Sequence, residues 1–557
     1  MLSAIGLVAA ALLVCFTSVG ALPKVSRTGK YLFTENGQRF FIKGIAYQTQ
    51  GLVIPGPDNP LNQPSTSVDN LANAAGCTRD VPVLQKLGVN AIRAYAANSS
   101  LNHDACMSML SGAGIYVILD LTLPLNGSID TTQPAWSTNT LDQYLRTIDA
   151  FEKYDNILAY NIGNEVIGPS ATQSAPFVMA AARDIRAYLN SISSSALVGY
   201  AAIDGPAQFV DNSAHYLACD RSATSATASI DLFGLNNYEW CGDAANTTFD
   251  GLNSRFADYD VAAYFSEFGS ENCSPKPRLW TEVPVMFSAP MANTWSGGLA
   301  FSYFSAISRG HEFGMAAVSP DNTSITTNAD FEILAAKFNN ITFLNTPAQG
   351  SASSAKPSAC PPTDMARWPV ATTLPPTPDD AACGCLASAL SCVFRPPRAD
   401  YMVLVGELIG VACELAISSG GSCAEISSNG TSGAYGRLAM CDPTIKLSYV
   451  FSQYYELNRR ATKACNFSGN ATLNSAAPNT NIAAAAAASS CIPSPSAVFT
   501  PHAPPALLPI APSNGNAPAG GSGPGSGSSG GAPARLQWTG LGAIAACVLA
   551  GALWTLV

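Results

Sequence analysis

The chain has 557 residues, 47% of them hydrophobic and 12% charged, with a net charge of −10 and 16 cysteines. It is too long for one ordinary domain. The negative balance argues against a nucleic-acid partner and fits a neutral or weakly charged substrate in a mildly acidic space.

In chain order, Ile5 to Val19 is a short apolar run, followed by small residues at Gly20 and Ala21. This reads as a secretory signal over residues 1–21, cleaved near Ala21. A short membrane anchor is the alternative, but the run is too short to span a bilayer comfortably.

From about residue 31 to 345, strand-like runs alternate with helix-like ones. Strands are predicted at 39–45, 90–95, 115–121, 157–162, 196–201, 231–238, 262–267 and 298–304, with helices at 140–153, 174–192 and 278–287 among them. Most of the strands are near-continuous apolar runs, as parallel strands buried on both faces require. Eight βα units predict an α/β fold, a TIM (β/α)8 barrel over residues 22–345. A doubly wound open sheet is the alternative; it is disfavoured because no Gly-rich phosphate loop follows the first strand.

Residues 346–380 are rich in Pro, Ser, Thr and Ala and read as a linker, pinned at Cys360. Residues 381–491 then hold Cys383, Cys385, Cys392, Cys413, Cys423, Cys441, Cys465 and Cys491. That density predicts a small disulfide-stapled module. No histidine pairs with these cysteines, so no metal is expected, and no cofactor either. Residues 492–535 are mostly Pro, Ala, Gly and Ser, a disordered stalk. The last segment, 536–557, ends in an apolar run from 541 to 557 preceded by a Gly/Ser/Pro spacer, the pattern of a removed GPI-anchor signal. The attachment residue is expected between Ser526 and Gly531, with Asn514 and Asn516 as alternatives. A tail anchor is the other reading, but it does not normally accompany a secretory leader.

Of the 16 cysteines, Cys15 lies in the leader and Cys547 in the tail. The 14 that remain are an even set, compatible with seven disulfides in an oxidising compartment. Glycosylation sequons stand at Asn98, Asn126, Asn246, Asn322, Asn340, Asn429, Asn466 and Asn470.

The chemistry-bearing segments are Asn161-Ile-Gly-Asn164-Glu165 and Tyr264-Phe-Ser-Glu267. Each is an apolar strand ending in a glutamate, and an interval of about 100 residues fits three βα units. The two glutamates would therefore end strands four and seven and face each other across the C-terminal mouth, where barrel enzymes place their chemistry. Facing carboxylates suit glycosidic bond cleavage: one protonates the leaving oxygen, the other attacks the anomeric carbon, at a separation of about 5–5.5 Å in a retaining enzyme. Asn164 is a candidate ligand for the sugar 2-hydroxyl. Tyr95, Asp120 and Tyr238 fall at the ends of strands two, three and six. Arg93 is a candidate partner for the Glu267 carboxylate, with a structural ion pair as the alternative.

These segments resemble the glycoside hydrolase family 72 β-1,3-glucanosyltransferases of fungal cell walls. The resemblance is carried by Lys43-Gly-Ile-Ala-Tyr-Gln48, Cys77-Thr-Arg-Asp-Val-Pro, Asn90-Ala-Ile-Arg-Ala-Tyr95, Tyr116-Val-Ile-Leu-Asp120, Gly163-Asn-Glu165, Asn236-Asn-Tyr-Glu-Trp-Cys241, Phe265-Ser-Glu267-Phe-Gly and Trp295-Ser-Gly-Gly298. It implies Glu165 as acid/base, Glu267 as nucleophile, and Tyr95, Asp120, Asn164, Tyr238 and Tyr303 as donor-subsite residues. It implies β-1,3-glucan chains as donor and acceptor, and a plasma membrane held through the GPI lipid. Two departures touch the cleft. Phe301 stands where the family usually has Tyr, and Ser270, Glu271 and Asn272 lengthen the loop between Gly269 and Cys273.

The cysteine-rich segment resembles the X8, or carbohydrate-binding family 43, domain through Cys383-Gly-Cys385, Leu390-Ser-Cys392, Lys446-Leu-Ser-Tyr449 and Cys465-Asn-Phe-Ser-Gly. The resemblance implies a mostly helical module. It also implies the pairs Cys77–Cys106, Cys219–Cys360 and Cys241–Cys273 in the barrel, and Cys383–Cys441, Cys385–Cys491, Cys392–Cys465 and Cys413–Cys423 in the module. The transferase expectation rests on the resemblance, because hydrolysis and transfer share their first half. An endo-β-1,3-glucanase and a non-catalytic glucan-binding wall protein are the alternatives.

Overall fold

A computed structural model describes residues 21–53, 64–123, 128–219, 228–352, 359–395, 401–475 and 483–503. The leader before Ala21, the sequon at Asn126, and the stalk and anchor signal from 504 onward lie outside the described residues.

Eight parallel strands close into a barrel. They are Ile42–Ala46, Ala91–Ala94, Tyr116–Asp120, Ile157–Asn164, Leu197–Ile203, Leu232–Asn236, Ala262–Phe268 and Trp295–Ala300. The ring shuts where Gly297 to Ala300 pair with Ile42 to Ile45. A helix follows each strand: Ala74–Leu87, Asp104–Gly112, Thr138–Phe151, Ala175–Ser191, Ala207–Ala218, Asp250–Phe256, Glu282–Met286 and Ala329–Asn339. This is the predicted (β/α)8 fold. The strand segments are buried on both faces because side chains of one parity fill the barrel and those of the other meet the helices.

Sequence reading missed a hairpin before the first barrel strand, Val25–Thr28 paired with Tyr31–Thr34. Its Leu32, with Phe40 just beyond, joins one buried cluster with Ile42, Ala91, Ile118, Ala159, Leu232, Ala262 and Leu299. The hairpin thus closes on the barrel's own apolar residues and removes them from water.

Most predicted boundaries moved by a few residues, and two elements differ in a way that matters for the mouth. The eighth strand begins at Trp295, whose indole packs on Phe256 and Phe265 at 4.8 and 4.7 Å between ring centroids. It leaves the ladder after Ala300 rather than running to 304. Gly297 has φ +89°, and a Cβ there would lie 2.2 Å from the Ile42 carbonyl oxygen, so only glycine permits this closure. The predicted helix 278–287 shrinks to Glu282–Met286. Trp280 has φ +52°, a left-handed conformation that a right-handed helix does not include, so Arg278 stays in irregular backbone.

The cysteine-rich module packs helices Asp380–Ala389, Tyr401–Ser418, Pro443–Leu457 and Ala484–Cys491 beside a two-stranded ribbon, Cys392–Phe394 with Ala471–Leu473. Four disulfides staple it: Cys383–Cys441, Cys385–Cys491, Cys392–Cys465 and Cys413–Cys423. The barrel carries Cys77–Cys106 and Cys241–Cys273, and Cys219–Cys360 ties the barrel to the segment that follows it.

That following segment, composed like a linker, is packed on the barrel over its described part. Trp368 is buried against Phe209 and Tyr216. Further on, the buried Arg183 donates to the Pro375 carbonyl and to Thr377 Oγ1, while Thr377 donates to Asp184 at 2.8 Å. The module then touches the barrel directly, with Thr138 N–H donating to Met440 O at 2.9 Å.

Candidate active site

The fourth strand delivers Asn164 at its last position, and Glu165 follows with φ +54°. A non-glycine residue in that region costs of order 1 kcal/mol. The turn is held because Glu165 N–H donates to Ala201 O at 2.9 Å. The seventh strand carries Glu267, which is 8% exposed. Its chain leaves through Gly269 at φ +108°, where a Cβ would lie 2.5 Å from the Trp280 indole.

Three donors converge on the Glu267 carboxylate. Tyr95 OH donates to Oε1 and Tyr238 OH to Oε2, each at 2.8 Å. Arg93 Nη1 approaches Oε1 at 3.3 Å. Glu165 has a different environment: its Oε1 accepts from Asn236 Nδ2 at 2.8 Å. Asn236 is itself oriented, since its Oδ1 accepts from Ser266 Oγ at 2.7 Å.

Arg93 is fully buried and forks onto Asp120 through Nε at 3.1 Å and Nη2 at 2.7 Å. Its Nη2 also donates to Asn164 Oδ1 at 2.8 Å. Asp120 accepts in turn from Asn161 Nδ2 at 2.7 Å. A buried guanidinium held by two carboxylates and an amide is a fixed positive charge, and it orients Asn164 and Glu267 together.

Burial is the largest influence on Glu267 and pushes its carboxyl up to about 7; Arg93 opposes this, the Glu165 charge adds to it, and the Tyr238 and Tyr95 hydroxyls oppose it. Burial keeps both phenols protonated well above their ordinary range, so they remain donors. The site therefore holds a desolvated carboxylate whose charged form is favoured only by three placed donors.

Tyr95, Asp120, Asn164, Tyr238 and Arg93 thus meet around the two glutamates. Tyr303 does not join them. It is fully buried against Tyr47 and Phe304, beside Asp80 of the first helix. The early exit of the eighth strand is the cause: it leaves Phe301 half-buried at the mouth and turns Tyr303 into the layer between strands and helices. Phe301 meets Tyr95 edge-on at 6.4 Å and Phe313 at 5.3 Å.

Sequence reasoning missed Asn236, Asn161, Phe313 and Arg278 as site residues. Asn236 carried a usable signal, a polar residue closing an apolar strand. Asn161 sits mid-strand, where a buried amide looks like a packing residue. Phe313 and Arg278 come from loops whose course no periodicity predicts.

Residues 16–342 match the glycoside hydrolase 72 family, described as glucanosyltransferase, and residues 390–472 match the X8 domain. The chain is 37% identical over 464 residues to the 1,3-beta-glucanosyltransferase gas1 of Schizosaccharomyces pombe, covering 82% of this chain and 80% of that protein. It is 34% identical to the 1,3-beta-glucanosyltransferase GAS2 of Saccharomyces cerevisiae, covering 76% and 75%. A solved structure of a Saccharomyces cerevisiae Gas2p mutant in complex with laminaritetraose and laminaripentaose superposes with a TM-score of 0.71 at 31% identity, covering 83% of this chain and 98% of that one. With its barrel, its paired strand-end glutamates and its X8 module, the chain belongs to the glycoside hydrolase 72 family of glucanosyltransferases.

Proposed function

We propose that this protein is a cell-wall β-1,3-glucanosyltransferase that cleaves a β-1,3-glucan internally and passes the new reducing end to the non-reducing end of a second chain. The observation that carries the mechanism is the unequal treatment of the two glutamates. Glu267 receives two phenols and a guanidinium, while Glu165 receives one amide. Donors crowded on one carboxylate favour its charged, attacking form. Glu267 then attacks the anomeric carbon as Glu165 gives its proton to the departing glucosyl oxygen, and a glucosyl ester forms on Glu267. Glu165, now a carboxylate, takes the proton of an incoming hydroxyl as that oxygen displaces Glu267. Two inversions retain the β configuration.

Transfer exchanges one β-1,3 bond for another and so is nearly neutral in free energy. It prevails over hydrolysis when a bound acceptor hydroxyl is presented at an effective concentration that water cannot match. Incubation with a β-1,3-oligosaccharide of about ten units, spanning several subsites, should give products both shorter and longer than the donor. The longer share should rise with substrate concentration. Shorter products alone, at every concentration, would make this an endo-glucanase.

The secretory leader and the apolar end support a GPI-anchored protein on the outer face of the plasma membrane. Phosphatidylinositol-specific lipase, or deletion of residues 541–557, should release it. Protein still membrane-bound after both treatments would refute that anchor.

A further inference from the structure

Arg278 lies in the loop after the seventh strand and is 5% exposed. Neither Glu165 nor Glu267 is among its partners, and each of its three guanidinium nitrogens is engaged. Nη1 donates to the Phe301 carbonyl at 2.8 Å and to Gly269 O at 3.3 Å. Nη2 donates to the Phe313 carbonyl at 2.9 Å. Nε meets Glu271 Oε1 at 2.7 Å and Asp330 Oδ2 at 3.0 Å. The guanidinium also stacks on Trp280 at 4.4 Å.

Three chain segments are thereby fixed to one another: the exit of the nucleophile strand, the exit of the eighth strand, and the loop bearing Phe313. The two phenylalanines continue the chain of contact inward. Phe301 packs edge-on against Tyr95, Phe313 packs against Tyr238 at 5.9 Å, and the two phenylalanines pack on each other. Tyr95 and Tyr238 are the donors to opposite oxygens of Glu267. Glu271, which pairs with Arg278, belongs to the lengthened loop Ser270–Asn272.

We propose that Arg278 is a positioning residue for the nucleophile: by gripping the carbonyls of Phe301 and Phe313 it seats the two rings that brace the tyrosine donors of Glu267. This inference rests on Glu267 as nucleophile. A guanidinium suits the task because its planar fork satisfies several oxygens at once, which an ammonium cannot do at fixed geometry. The groups acting on Glu267 are Arg93, Tyr95, Tyr238 and Glu165, and only the two tyrosines are reached through Arg278.

The test is the pH dependence of kcat/KM for the full chain on a laminari-oligosaccharide donor, comparing wild type, Arg278→Gln, Arg278→Lys and Phe313→Leu. Loosened donors favour the ionised nucleophile less, so the acid limb should move to higher pH by about half a unit or more in Arg278→Gln. Its kcat should fall about tenfold, with Arg278→Lys between it and wild type. Phe313→Leu should move the limb the same way. A folded Arg278→Gln with an unmoved acid limb overturns the proposal even if kcat falls, because lost stability alone does not shift the ionisation of Glu267. If Arg278→Gln does not fold, Phe313→Leu decides: a shifted limb supports the proposal and an unmoved one overturns it. Activity surviving in Glu267→Gln would instead overturn the nucleophile assignment, an outcome distinguishable from either.

Discussion

The hydroxyl of Tyr238 donates to Oε2 of Glu267 at 2.8 Å, from a loop two residues beyond the sixth strand to the wall of the seventh. The contact joins neighbouring strands at their C-terminal ends and opposes the desolvation of a buried carboxylate. Its removal should be visible in the titration. Tyr238→Phe should raise the acid limb of kcat/KM by about one pH unit, the equivalent of about 1.4 kcal/mol. The sign follows from the donor's preference for the charged form: without it the carboxyl holds its proton to higher pH, and activity is lost earlier as pH falls. Tyr95→Phe should act in the same direction. Profiles that coincide with wild type would contradict this role.

The two glutamates should fail in different ways. Glu267→Ala and Glu165→Ala should each lower kcat by about 10³-fold or more while the fold survives. Azide should rescue them differently, because it enters a different face in each. Rescue of the Glu267 variant should give an α-glucosyl azide and rescue of the Glu165 variant a β-glucosyl azide, read by NMR of the product. The reverse pattern would exchange the roles.

Glu267 should also be a stability liability at neutral pH. Its carboxyl titrates at about 7 in the fold, against 4.5 ordinarily. Between those values the native state binds more protons than the unfolded chain, so the group's contribution to stability falls as pH rises through that window and is fully unfavourable above it. Glu267→Gln should therefore be more stable than wild type by about 1–2 kcal/mol at pH 8 and near wild type below pH 4.5. Melting curves at the two pH values check this.

Phe301 and Tyr303 should exchange the importance that an uninterrupted eighth strand would give them. Phe301→Ala should lower kcat/KM about tenfold, the scale of one aromatic contact of about 1.4 kcal/mol. Tyr303→Phe should leave it within about twofold, since the ring keeps its packing on Tyr47 and Phe304. A large loss of activity in a stable Tyr303→Phe would place that hydroxyl in the reaction.

The Cys219–Cys360 bond closes the longest loop of the seven, with a sequence separation of 141 residues. Replacing both cysteines by serine should cost about 4–5 kcal/mol, on the chain-entropy estimate for a long loop. The segment carrying Trp368 should then become sensitive to limited proteolysis while the barrel resists.

The amino-acid sequence by itself determined which segments become strands and how many barrel units they form. Buried parallel strands are written as uninterrupted apolar runs, and eight such runs between helical stretches admit few arrangements. It also fixed Glu165 and Glu267 at strand ends, because a carboxylate closing an apolar run has only the mouth to face. Tertiary structure alone decided where the eighth strand stops and hence which of Phe301 and Tyr303 reaches the cleft. Past Ala300 the backbone groups find distant partners, the Phe301 carbonyl on Arg278 and the Tyr303 N–H on Ala46 O, and no local pattern encodes either. The grip of Arg278 on Phe301 and Phe313 was likewise invisible, since hydrogen bonds from a loop to distant carbonyls leave no periodicity in the chain.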